Sequence, residues 1–89
     1  MRQMKVQWKH FFENSSTQEA LCDFVKGKLS FEQLKKQCWS IKCKEQVDKL
    51  KFVTHFNLKK AQDSAAKALA RRGFFVKKIK LTRARYLIS

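Results

Sequence analysis

The chain has 89 residues, a length that excludes a second domain, since folding buries roughly 64% of the unfolded chain's surface and supplies one modest core. Hydrophobic residues make up 44% and aromatics 12%, which excludes a disordered polyelectrolyte, and with two Gly and no Pro no stretch reads as a linker. Lys and Arg number 21 against seven Asp and Glu, a formal net charge of +14, so the expected partners are negative: nucleic acid, an acidic protein surface or anionic lipid.

Residues 1–89 are therefore read as a single basic domain. Residues 4 to 8 alternate, Met4, Val6 and Trp8 on one side and Lys5 and Gln7 on the other, the period of a half-buried strand. The run "ENSSTQE" carries a helix start, with Ser16 as the cap and Glu19 three residues on able to complete a capping box. That first helix buries Leu21, Phe24 and Val25 and ends at Gly27, where a missing Cβ suits the left-handed conformation. Ser30 and Gln33 form a second capping box, with Leu29 placed to touch Leu34 as a hydrophobic staple. Phe31, Leu34, Cys38 and Trp39 share one face of that short helix, which forms a tight αα-hairpin with the first.

"DKLKFVTHFN" returns to alternation, Leu50, Phe52, Thr54 and Phe56 against Lys49, Lys51, Val53 and His55, and is read as a second strand. Asn57 caps a third helix, "LKKAQDSAAKALARRG", lined inside by Leu58, Ala61, Ala65, Ala68 and Leu69 and outside by Lys60, Lys67 and Arg71. Gly73 ends it and "FFVKKIKLT" follows as a third strand. The expected architecture is α+β in β-α-α-β-α-β order, a sheet of about three largely antiparallel strands with helices packed on one face.

Function is sought in the charge. From Ser64 to Ser89 the sequence holds Lys67, Arg71, Arg72, Lys77, Lys78, Lys80, Arg83 and Arg85 and no acid, a density that predicts a continuous positive patch. Phosphate binding asks for little more, because release of counterions condensed on a nucleic-acid backbone drives association without base contacts. The bland alternative is a solvated face with a basic tail. Lys78 breaks the alternation of its strand, which implies either a bulge at Lys77 and Lys78 or a sheet face open to solvent. Trp8, Trp39, Phe74, Phe75 and Tyr86 are candidates for base stacking, Tyr86 the most exposed of them by its place after the strand, although a small domain needs such rings for its core.

Other chemistries are weaker. Cys38, Cys43 and His55, with Cys22 or His10, supply soft donors, but a C-x4-C-x11-H spacing lacks the close pairs of zinc sites, so no metal is expected. There is no Gly-rich phosphate loop, nucleophile elbow or carboxylate pair, and His10 and His55 alone do not make an active site, so neither catalysis nor a cofactor is expected. Three Cys without framework spacing point to a reducing, cytoplasmic setting. No apolar run approaches a membrane span, no helix pairs a large apolar face with a basic one, and the basic first twelve residues lack a signal-peptide core. Two readings follow. One is a nucleic-acid-binding domain, for RNA or DNA, gripping phosphates with Lys67, Arg71, Arg72, Lys77, Lys78, Lys80, Arg83 and Arg85 beside Tyr86. The other is a small regulator or inhibitor that docks on an acidic surface of a larger protein.

Overall fold

The structure, a computed structural model, describes residues 5–78 and 86–88. Among the described residues five helices carry the fold: α1 (Lys9–Phe12), α2 (Ser15–Val25), α3 (Phe31–Lys36), α4 (Ile41–Val53) and α5 (Leu58–Arg71). A two-stranded antiparallel ribbon of β1 (Val76–Lys78) and β2 (Tyr86–Ile88) closes the chain, in the register Val76 to Ile88, Lys77 to Leu87 and Lys78 to Tyr86. The expected three-stranded sheet and its β-α-α-β-α-β order are thus wrong, and the protein is mainly helical.

The largest error lies in residues 48–57, read as a strand. They belong to α4 and its exit, and the helix buries Cys43, Val47 and Leu50 with Gln46 beside them, the i, i+3, i+4, i+7 stripe of an amphipathic helix. Ser40 caps it, its hydroxyl accepting the Cys43 N–H at 3.2 Å. The stripe was hard to see because a polar residue sits in it. Gln46 is buried only because its Oε1 accepts the backbone N–H of Gln7 at 2.7 Å, a long-range satisfaction of the kind buried amides require. The first expected strand is also absent among the described residues. Among the described residues of that stretch, Lys5 to Gln7 form no ladder, and Trp8 opens α1 instead.

The first long helix starts earlier than expected. Asn14, extended at φ −140° and ψ 131°, accepts from the N–H groups of Ser16 and Thr17, so Asn14 rather than Ser16 is the cap. Elsewhere local signals hold. Ser30 and Gln33 make the reciprocal capping box, Asn57 Oδ1 accepts the Lys60 N–H at 3.2 Å, and Gly27 and Gly73 take positive φ.

One core joins the elements. Phe11 from α1, Leu21, Phe24 and Val25 from α2, Leu34 from α3, Val47 and Leu50 from α4, and Ala61, Ala65 and Leu69 from α5 are fully buried. The α5 alanines let α2 come close, and Gln62 Nε2 donates to the Phe24 carbonyl at 3.1 Å across that contact. Phe24 and Phe31 stack tilted, centroids 5.4 Å apart, across the α2–α3 turn. Trp39, expected on the buried face of α3, instead lies beyond that helix and is half exposed, anchored by its indole N–H to the His10 carbonyl at 3.0 Å. The ribbon packs on this core through Val76, Tyr86 and Ile88. Among the described residues no helix is long and apolar enough to cross a membrane.

Candidate polyanion interface

The C-terminal half of α5, its C-cap and β1 hold five of the cations singled out above, Lys67, Arg71, Arg72, Lys77 and Lys78. Lys67 and Arg71, four residues apart, lie on one exposed stripe of α5, and Arg72 is its exposed C-cap. Cations at a helix C-terminus complement its dipole, which gives Arg71 and Arg72 a structural use as well as a surface one. Lys77 and Lys78 are exposed on β1. Lys80, Arg83 and Arg85 lie outside the described residues.

The fold adds a partner that the C-terminal sequence did not announce. A surface cleft of about 380 Å³ opens between the start of α1 and the end of α5, lined by Gln7, Trp8, Lys9, Ala68, Arg71 and Arg72. Three cations and one indole meet there with no carboxylate in the lining. The Arg72 guanidinium is oriented by the Phe12 ring, 4.6 Å from its centroid, and Phe12 in turn packs against Phe74 at 6.3 Å. Trp8 is half-buried, with Phe11 5.5 Å beneath it. The signal for Lys9 was present in the run of acid-free basic residues before Glu13, but only the packing of α1 near α5 joins that run to Arg71 and Arg72.

The ribbon has two unlike faces. Val76, Tyr86 and Ile88 turn to the core, whereas Lys77 and its cross-strand partner Leu87 face outward, with Leu87 55% exposed. Phe75, two residues before Lys77, is also exposed, the spacing that puts two side chains on one side of an extended chain. Val76, Lys77 and Lys78 pair residue for residue, so the expected bulge at Lys77 and Lys78 is absent from the described ladder, and an outer face open to solvent takes its place.

Tyr86 departs from expectation as well. It is half-buried, and its hydroxyl donates to the Asp63 carboxylate of α5. Burial first, and then that carboxylate, push its phenol up to about 12. Its ring is held as a tie between ribbon and helix, so Phe75 and Trp8 are the better placed aromatics for stacking.

The remaining candidates separate. His10 sits in α1 with both ring nitrogens engaged, one 3.1 Å from Glu13 Oε1 and the other 3.1 Å from Gln7 Oε1, while His55 is on the α4–α5 turn. His55 is therefore not on the strand expected to hold it. Cys38 and Cys43 are together, but no group of three or more His, Cys, Asp or Glu able to hold a metal occurs among the described residues.

Three acids are engaged in pairs. Asp48 accepts Lys35 at 3.0 Å, Glu32 lies 3.7 Å from Lys51, and Glu13 holds His10. No carboxylate lines the α1–α5 cleft, and the Asp63 carboxylate that the ribbon touches is occupied by Tyr86. No protein-family model, curated protein or solved structure matches this chain, so the surface stands on its own chemistry.

Proposed function

We propose that the protein is a non-enzymatic nucleic-acid-binding domain that grips the phosphate backbone. The observation that supports this most is the cleft where Lys9, Arg71 and Arg72 converge beside Trp8, with Lys67 on α5 and Lys77 and Lys78 on the ribbon as further exposed cations. Neutralising a phosphate at each cation releases condensed counterions, and exposed Phe75 and cleft-lining Trp8 offer π-faces to unpaired bases. Single strands suit this arrangement better than duplex, since Phe75 and Trp8 can stack only on bases that are unpaired.

Fluorescence anisotropy of labelled single-stranded RNA, single-stranded DNA and duplex DNA over a salt series tests the reading. The parent should bind near physiological salt, and a variant carrying Lys9→Gln, Arg71→Gln and Arg72→Gln should bind more weakly with a log–log salt slope shallower by about 2 to 3 units. Absence of binding by the parent above low salt ends this reading.

A second reading is favoured by a different region. Phe52, Val53, Phe56 and Leu58 are all exposed at the α4–α5 corner, flanked by Lys49, Lys51, Lys59 and Lys60. Apolar anchors inside a cationic rim suit a small regulator docking on an acidic surface of a larger protein. Fixed stoichiometry with one protein partner and indifference to free nucleic acid would select it.

A further inference from the structure

We propose that Cys38 and Cys43 are a reversible dithiol–disulfide pair that locks the turn between α3 and α4. Cys38 stands in that turn and Cys43 in the first turn of α4, and their sulfurs are 2.9 Å apart, with the Cys43 thiol donating to Cys38 Sγ. A disulfide needs a sulfur separation of about 2.05 Å, so the two atoms must close by less than about 1 Å. Cys22, half-buried on α2, is not part of the pair.

The geometry assigns the two sulfurs different tasks. Cys38 is the more accessible, 8% exposed against 0% for Cys43. Its thiol is lowered chiefly by the hydrogen bond from Cys43, and Lys44 and Lys35 lower it further against the opposing effect of burial. Cys43 is raised, because it shares its proton with Cys38 in a buried place. Cys38 as thiolate attacks a small-molecule disulfide such as oxidised glutathione, forming a mixed disulfide and expelling one glutathione thiolate, which takes up a proton. Bonding Cys38 to glutathione removes the partner that held the Cys43 proton. Cys43 then loses that proton, attacks Cys38 Sγ and displaces the second glutathione, so the protein dithiol gives up two hydrogens and one oxidised glutathione becomes two reduced.

The turn is a junction, which gives the bond a consequence. The Gln37 carbonyl accepts the Thr17 hydroxyl of α2 at 3.3 Å, and the indole of Trp39 holds α1 through the His10 carbonyl. A covalent link from Cys38 to α4 therefore fixes the segment through which α1 and α2 are tied to the α3–α4 pair.

The full chain is equilibrated in glutathione buffers of increasing oxidised fraction, folded and in guanidinium, then acid-quenched, unfolded and alkylated with N-ethylmaleimide for intact mass and peptide mapping. The folded chain should lose two hydrogens, take one alkyl group at Cys22, and reach half-oxidation at an oxidant ratio at least about tenfold lower than the unfolded chain. Cys43→Ala should trap glutathione on Cys38. Three alkyl groups at every ratio, a glutathione adduct persisting on the parent, or equal oxidation of folded and unfolded chains overturns the proposal.

Discussion

Helices α4 and α5 end in the same backbone pattern built from different residues. In α5 the Gly73 N–H bonds to the Ala70 carbonyl and the Phe74 N–H to that of Leu69, each at 3.1 Å. In α4 the His55 N–H bonds to the Phe52 carbonyl at 3.1 Å and the Phe56 N–H to that of Lys51 at 2.8 Å. Both are Schellman motifs, whose C′ residue must be left-handed. Gly73 meets that requirement at φ 97° without a Cβ, but His55 and Phe56 take φ 54° and 62° as ordinary L-residues, a conformation that costs about 1–2 kcal/mol at a non-glycine residue. The residue after each cap differs in the same sense. Phe74 turns inward against Phe12, whereas Phe56 is 69% exposed with the Lys51 ammonium 5.5 Å from its ring. One end is closed by its own residues, and the other displays apolar surface at a strained turn, the combination in which strain accompanies an interaction site.

The comparison is broken most directly in the core that backs each end. Leu50 in α4 and Leu69 in α5 are both fully buried, so Leu50→Ala and Leu69→Ala should each cost about 2–5 kcal/mol in urea unfolding. Phe56→Ala, by contrast, should cost less than about 1 kcal/mol, the loss of one exposed cation–π contact. A core-sized loss at Phe56 would mean that the corner is structural and not a display surface.

The caps give the next effect. A Cβ on Gly73 would meet nothing within 4 Å, so Gly73→Ala isolates the backbone cost and should destabilise by about 1–2 kcal/mol. His55→Gly should do the reverse. Relief of the left-handed strain exceeds the about 0.5–1 kcal/mol that glycine loses in chain entropy, giving a net gain of up to about 1 kcal/mol by the same unfolding measurement.

A separate effect lies in pH. Tyr86 is the only tyrosine in the chain, and its phenol is raised from an ordinary value of about 10 to about 12. A raised folded-state value means that the neutral phenol is favoured by folding. Its contribution is complete below pH about 10 and is lost as pH climbs toward about 12. Absorbance titration of the phenolate should therefore show a higher midpoint in the native chain than in guanidinium, and Asp63→Asn should lower the native midpoint.

Legibility in the sequence followed locality. Ser30 with Gln33, Asn57, Gly27 and Gly73 act within four residues of themselves, and each marks the helix boundary it was read to mark. The alternation of Leu50, Phe52, Thr54 and Phe56 misled because a period of two and a period near four both select Leu50 and Thr54, and in the helix those two are buried while Phe52 and Phe56 stay outside. A left-handed His55 carries no glycine to announce it. For the candidate interface, Lys67, Arg71, Arg72, Lys77 and Lys78 were read from charge and are exposed, whereas Trp8 was read only as a stacking candidate, Lys9 was not assigned to it, and Tyr86 proved to be a tie to Asp63.

Composition by itself determined that this chain carries one modest core and an excess of positive charge toward its C-terminal end, because both follow from counting residues and need no partner in space. Tertiary structure decided what the N-terminal segment and residues 48–57 become. Gln46 can be buried in α4 only with the Gln7 N–H on it, and that bond holds residues 5–7 against a helix instead of in a sheet. It likewise decided that Lys9 meets Arg71 and Arg72, and that Cys38 meets Cys43, since each encounter depends on packing between elements and not on any residue's own preference.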